Sequence, residues 1–300
     1  MHIAVTGSRG LVGSTLIPFL TTGGHEVIRL VRVSPGSGDV PWDPAEGVKN
    51  LSRLEGVDAV IHLAGENIAA GRWTPQRKDE IRQSRVEGTR RLCESLAKLS
   101  RRPKVLASAS AIGFYGNRED EILTEDSSPG NDFLAQVCQE WEAATEPASR
   151  AGSRVVRLRF GMILSPAGGA LKKMLLPFKL GVGGRMGSGA QYVSWIAIDD
   201  AIGAIHQAIC DESLKGPVNG VTPNPVTNME FTRILARVLS RPALFPMPAF
   251  AARLAFGEMA DALLLASARV VPARLQASGY PFRHPELEEA LRHLLGRPKG

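Results

Sequence analysis

The chain has 300 residues, 44% of them hydrophobic and 22% charged, which suits a folded globular protein and excludes a disordered one. The formal net charge of +6 raises anionic ligands, but the basic residues are dispersed and no aromatic residues interleave them, so nucleic acid is not expected as a partner. No run of about 18 apolar residues predicts a membrane span, and Met1 leads straight into IAVTG without a targeting pattern, so a cytoplasmic protein is expected. The three cysteines, Cys93, Cys138 and Cys210, are scattered without metal-ligand spacing, giving neither a disulfide framework nor a metal site.

A β-branched run predicts a strand over His2 to Thr6, a helix follows from about Leu11 to Leu20, and a second strand spans Glu26 to Val31. Between the first strand and the helix stands G-x-x-G-x-x-G, at Gly7, Gly10 and Gly13. Gly7 allows a sharp exit from the strand, Gly10 a close backbone approach to a pyrophosphate, and Gly13 tight packing of helix on sheet. The helix start, with unpaired N–H groups and the positive end of its dipole, then faces the phosphates, with Ser8, Arg9 and Leu11 in the same loop. The second strand ends Val31-Arg32, where an NAD site places an acid for the ribose 2′-OH. Arg32, helped by Arg9, can fork onto a 2′-phosphate, so NADP(H) is the expected cofactor; the alternative is an arginine that merely solvates the strand end.

Further along, an apolar strand Ala59 to Leu63 ends in Ala64-Gly65, and a long helix is predicted from about Pro75 to Leu99. VLASASAIGFYG begins as a strand at Val105 and breaks at its carboxyl end, where ligands of open α/β sheets bind. DFLAQVCQEWE, residues 132 to 142, reads as a helix, and Arg154 to Phe160 as another strand. Glycine-rich loops then flank a helix from Ala170 to Lys179, where Lys172, Lys173 and Arg185 either meet an anionic substrate or solvate the face. Asp199-Asp200 are expected to cap a helix from Ala201 to Cys210. Thr227 or Asn228 caps the next helix, with Glu230 in its first turn, and Phe250 to Ala268 has helical spacing suited to packing.

TGSRGLVGS, HLAGENI, SRVEGT, SAIGFYG, GSGAQYVSWIAIDD and PVTNMEF, with the tail GEMADALL to PELEEAL, together resemble the extended short-chain dehydrogenase/reductases. The resemblance is to their atypical branch, the epimerase-family proteins with a C-terminal domain of unknown function, and it covers nearly the whole chain. It implies a Rossmann-type doubly wound parallel sheet with a smaller, discontinuous C-terminal substrate subdomain. The dinucleotide domain would span 1–165, with 195–215 returning to it; 166–194 and 216–300 would form the subdomain. By resemblance, Leu63, Ala64, Gly65, Glu80 and Arg85 stand near the cofactor, Arg85 where most members carry asparagine. Ser110, with Ser108 as second choice, would polarise a substrate oxygen.

Ordinary members next carry Tyr-x-x-x-Lys on a helix, where the lysine charge eases proton transfer by the phenol. Here Tyr115, Tyr192 and Tyr280 are followed four residues on by Glu119, Ile196 and His284, so the pair is absent. Its register falls on Phe133/Val137 or on Leu134/Cys138, the second of which puts Glu142 at the family's acidic position. Cys138 and Trp141 read as core. Tyr115, Tyr192 and Trp195 remain as substitute proton donors or substrate contacts. Two functions follow: an NADP(H)-dependent oxidoreductase or epimerase acting on a small oxygenated, nucleotide-sugar-like substrate, or a non-catalytic NADP(H)-binding sensor or interaction protein.

Overall fold

The computed structural model describes residues 1–32 and 36–298. Eight strands form one sheet, in the order Gly216–Gly220, Arg154–Phe160, Val105–Ala111, Ala59–His62, His2–Thr6, Glu26–Val31, Val40–Asp43 and Gly47–Val48. Every neighbouring pair is parallel except the last. From His2–Thr6 the chain builds outward first to one side, then returns to build the other. The point where strand order reverses therefore lies between His2–Thr6 and Ala59–His62, which is where such sheets bind ligands.

Burial on both faces explains why these strands read as apolar runs. Ile3 and Val5 point to one face, where Leu16 and Leu20 of the helix Leu11–Thr22 and Ile202, Ile205 and Ile209 of the helix Ile198–Cys210 cover them. Ala4, with Val60 and Leu106, points to the other face, against Leu92 and Leu96 of the helix Pro75–Ala97. Thr74 caps that helix through its hydroxyl, and Pro75 at the first turn needs no N–H partner.

A second core joins the helices Gly169–Lys179, Asn228–Leu239 and Leu287–Leu294 through Leu171, Phe178, Phe231, Leu235 and Leu291. Thr227 and Glu230 complete a reciprocal cap on the middle helix. Three features differ from the expectations above. The strand Gly216–Gly220 pairs with Arg154–Phe160 and so belongs to the sheet, not to the C-terminal part. The helix begins at Ile198, placing Asp199 and Asp200 inside its first turn, where neither caps it. Asp200 instead accepts the backbone N–H groups of Arg283 and His284 at 2.8 and 2.9 Å, clamping the C-terminal strap. Finally, the stretch from Phe250 breaks at Gly257, whose φ of +63° ends the helix Ala249–Phe256. No helix among the described residues is long and apolar enough to cross a membrane.

Candidate cofactor crevice

The glycine turn is built by close approach. Gly7 has φ +67°, and a Cβ there would lie 2.7 Å from the Leu63 carbonyl carbon, so only glycine lets the two strand ends meet. A Cβ on Gly13 would collide with the Gly7 carbonyl oxygen, which is how the helix comes to lie so near the turn. Beside the turn, Thr6 Oγ1 accepts from the N–H groups of Leu63 and Ala64 at 3.1 and 3.3 Å and lies 2.7 Å from His62 Nδ1. His62 Nε2 meets Thr89 Oγ1 at 2.9 Å, and Trp141 Nε1 donates to the same oxygen at 2.9 Å. Burial pushes the pKa of His62 down to about 4, so the ring is a neutral strut between the sheet and two helices. The sequence carried this only as the T of TG and the H of HLAG.

At the reversal of strand order lies a crevice of about 370 Å³. Gly7, Ser8, Arg9 and Gly10 form one wall, Leu30, Val31, Arg32, Trp42 and Pro44 a second, and Leu63, Ala64, Gly65, Glu66 and Ser84 the third. The helix Leu11–Thr22 begins there with no side-chain cap and no acid in its first turn. Its open N–H groups and dipole favour an anion at this point. Nine of the residues named from sequence line the crevice: Gly7, Ser8, Arg9, Gly10, Val31, Arg32, Leu63, Ala64 and Gly65.

The other four stand behind it. Leu11 packs against Gly168 and Gly169, and Gly13 against the turn. Glu80 is paired with Arg77 at 2.7 Å. Arg85 donates to the carbonyls of Glu66 and Ile81 at 2.9 and 3.2 Å, and burial lowers its pKa below the usual arginine range. Trp42, Pro44, Glu66 and Ser84 also line the crevice; of these Glu66, inside HLAGENI, and Ser84, which opens SRVEGT, lie in motifs quoted above. Arg32 is 59% exposed in its side chain and touches Glu66 at 3.4 Å, a loose contact that leaves its fork facing the crevice.

The helix Phe133–Ala143 holds both registers in which the tyrosine–lysine pair was expected. A Cβ on Gly113, just past the strand end, would meet Leu134 Cβ at 3.4 Å and Cys138 Sγ at 3.8 Å, so these two side chains pack on the turn that follows Val105–Ala111. Leu134 packs with Phe133, Trp73, Ile81, Phe256 and Leu263 in an apolar cluster. Burial pushes the Cys138 thiol up to about 12, which keeps it protonated and unreactive.

Ser110 does not face open space. Its hydroxyl donates to Glu142 Oε1 at 2.8 Å, and Ser110 is only 4% exposed. Tyr115 is fully buried, donates to Asn219 Oδ1 at 2.7 Å and accepts from Arg159 at 3.0 Å. Burial raises its pKa despite the nearby guanidinium, and Tyr115 is not among the residues that line the crevice. Ser108 is likewise buried. Trp195 is buried and donates to Asn224 O at 3.2 Å, while Tyr192 lies under Arg269, 4.8 Å from its ring centre. Lys172 bonds the Ala167 carbonyl within its own segment. Lys173 reaches the Ala69 carbonyl at 2.8 Å, linking the helix Gly169–Lys179 to the loop after Gly65. Arg185 turns back to the carbonyls of Gly187 and Ser188.

Comparison with known proteins agrees with this architecture. The NAD dependent epimerase/dehydratase family matches residues 3–219, and a domain of unknown function, DUF1731, matches residues 247–294. The chain belongs to the NAD dependent epimerase/dehydratase family. An epimerase family protein of Mycobacterium tuberculosis is 43% identical over 297 residues, 99% of this chain and 98% of that one. The human epimerase family protein SDR39U1, solved with NADPH, superposes with a TM-score of 0.92 at 34% identity, covering 99% of this chain and 100% of that one. A nucleoside-diphosphate sugar epimerase from Corynebacterium glutamicum superposes with a TM-score of 0.84 at 42% identity, over 99% of this chain and 58% of that one. The chain has the glycine turn at Gly7, Gly10 and Gly13, and none of its three tyrosines is followed four residues on by lysine.

Proposed function

We propose that this protein binds NADP(H) across the crevice and holds it as a sensed ligand, without the proton-transfer pair that would make it a turnover coenzyme. The pyrophosphate would sit at the uncapped start of the helix Leu11–Thr22, and Arg32 would fork onto the 2′-phosphate. Support for the phosphorylated cofactor comes from Arg32 closing the strand where an NAD site carries a carboxylate. The human relative solved with NADPH supports it too.

One observation carries the second half of the reading: no tyrosine of the chain is followed four residues on by lysine, and in the register that puts Glu142 at the family's acidic position the pair is Leu134, in an apolar cluster, and Cys138, a thiol that burial pushes up to about 12. Neither group moves a proton at neutral pH. Ser110 is committed to Glu142, and Tyr115 to Asn219. The test is to load the protein with NADPH, add small aldehydes, ketones and nucleotide sugars, and follow the nicotinamide absorbance. This reading expects no oxidation beyond that of free NADPH; stoichiometric oxidation by any of them would overturn it.

A second reading, an oxidoreductase or epimerase acting on a small nucleotide-sugar-like substrate, is favoured by the family match across residues 3–219. The relative described as a nucleoside-diphosphate sugar epimerase also favours it. Net oxidation of NADPH would mark the oxidoreductase. Because an epimerase returns the hydride and leaves no net change in nicotinamide, its test is protein loaded with NADP⁺ and a nucleotide sugar, where a second epimer would support this reading and none would support the first.

A further inference from the structure

The sequence has no metal-ligand spacing, yet folding gathers three donors from two distant segments. Asp199 lies in the first turn of the helix Ile198–Cys210, His284 in the strap after Tyr280, and His293 in the last turn of the helix Leu287–Leu294. One ligand atom from each lies within 4.8 Å of the other two. His293 Nε2 is 3.5 Å from Asp199 Oδ2, and the two imidazoles stack with centres 4.2 Å apart and planes 22° from parallel. A second observation is independent of this grouping: Nδ1 of His284 is buried and has no hydrogen-bond partner among the described residues. Buried polar atoms are nearly always satisfied, so an orphaned ring nitrogen calls for an explanation. The backbone here is also fixed in advance, because Asp200 accepts the N–H groups of Arg283 and His284.

We propose that Asp199, His284 and His293 bind one divalent transition ion, Zn²⁺ foremost. Two imidazoles and a carboxylate suit Zn²⁺, Co²⁺ or Ni²⁺, while Mg²⁺ and Ca²⁺ prefer an all-oxygen shell. Ligand bonds of about 2.0–2.2 Å require the donors to draw closer together than they stand. That movement is open to His293, whose side chain is 50% exposed, and to Asp199 at 32%. Three protein ligands leave a fourth tetrahedral position for water or an incoming donor. The ion would tie the C-terminal helix and its strap to a helix that packs on the cofactor-binding sheet, joining the two halves of the molecule.

The test uses the full chain without a histidine tag, stripped with a chelator and titrated with Co²⁺, then Zn²⁺, with Mg²⁺ as control. The expected result is one Co²⁺ per chain with the visible absorption of a low-coordinate N/O site, displacement by Zn²⁺, and no response to Mg²⁺. His293→Ala and His284→Ala should each weaken Zn²⁺ at least about tenfold, the loss that even an outer-shell partner brings. Because His293 is exposed, its variant keeps the fold, which circular dichroism of the stripped protein verifies. Failure of the wild type to bind Zn²⁺ or Co²⁺ would overturn the proposal. So would binding that survives both variants but is lost in His206→Ala. That result would assign the ion to His25 and His206, whose Nε2 atoms are 3.3 Å apart, with Cys210 Sγ at 3.5 Å from His206.

Discussion

The hydroxyl of Ser110 and the guanidinium of Arg159 converge on one buried carboxylate: Glu142 accepts from Ser110 at 2.8 Å and from Arg159 at 2.7 and 2.9 Å. Arg159 also donates to Tyr115, 3.0 Å away, and its cation lies 3.5 Å from the centre of the Phe114 ring. Both charged partners are nearly inaccessible, with side chains 4% and 7% exposed. The strand-end serine and the tyrosine that follows it are thus parts of an internal strut joining strand, helix and loop.

Removing one partner of such a pair leaves an uncompensated buried charge. Arg159→Met should therefore cost about 3–5 kcal/mol, whereas Ser110→Ala, which leaves the ion pair whole, should cost about 1 kcal/mol. Urea unfolding of the two variants checks the ordering. A Ser110 variant as damaging as the Arg159 variant would contradict the account.

The three cysteines should separate by accessibility. Cys93 and Cys138 are buried, and burial pushes both thiols up to about 12; Cys210 is exposed. A thiol reagent should modify Cys210 alone in the native protein and all three in denaturant. Fast native labelling of Cys138 would contradict its burial.

His62 makes stability depend on pH. Its folded pKa of about 4 lies below the ordinary value of 6.5, so the unfolded chain binds the extra proton between those limits. Stability from this residue is fully present above pH 6.5 and falls by about 1.4 kcal/mol per unit as pH drops towards 4. His62→Gln should lower stability at pH 7 and remove one proton's worth of this slope. An unchanged slope in chemical unfolding between pH 6.5 and 4.5 would contradict the buried neutral ring.

Gly7→Ala tests the turn itself. The left-handed φ costs of the order of 1–3 kcal/mol for a residue with a Cβ, and that Cβ would also press on Leu63. The variant should lose stability and nucleotide affinity together. Wild-type values for both would mean that the two strand ends are free to move apart.

The strand His2–Thr6 was legible because helices cover both faces of the sheet there, which demands a short apolar or β-branched run, while Glu26–Val31 and Arg154–Phe160 were legible from valine, isoleucine, leucine and phenylalanine set among charged residues. The glycine turn was legible for a similar reason, since each close approach there admits one residue type. Val40–Asp43 was not, because a four-residue strand containing Pro41 carries no periodic signal. Glu66, Ser84 and Trp42 enter the crevice from three separate segments, so only the fold makes them neighbours. Asp200 misled for a different reason. An acid at a helix start reads as a cap, but here it holds a strap more than 80 residues away in sequence. The absence of the tyrosine–lysine pair was plain from sequence; that Ser110 and Tyr115 are bound inside the protein became visible only with Glu142, Arg159 and Asn219 beside them.

The most direct test of the account is a titration of wild type and Arg32→Ala with NADPH and with NADH, read by energy transfer from Trp42 in the crevice wall. Loss of a charge-assisted contact to the 2′-phosphate should cost about 1.5–3 kcal/mol, so the variant should bind NADPH roughly ten- to a hundredfold more weakly while its NADH affinity stays level. Equal affinity of wild type and variant for NADPH would remove Arg32 from the site, and binding of neither nucleotide would contradict the cofactor crevice altogether.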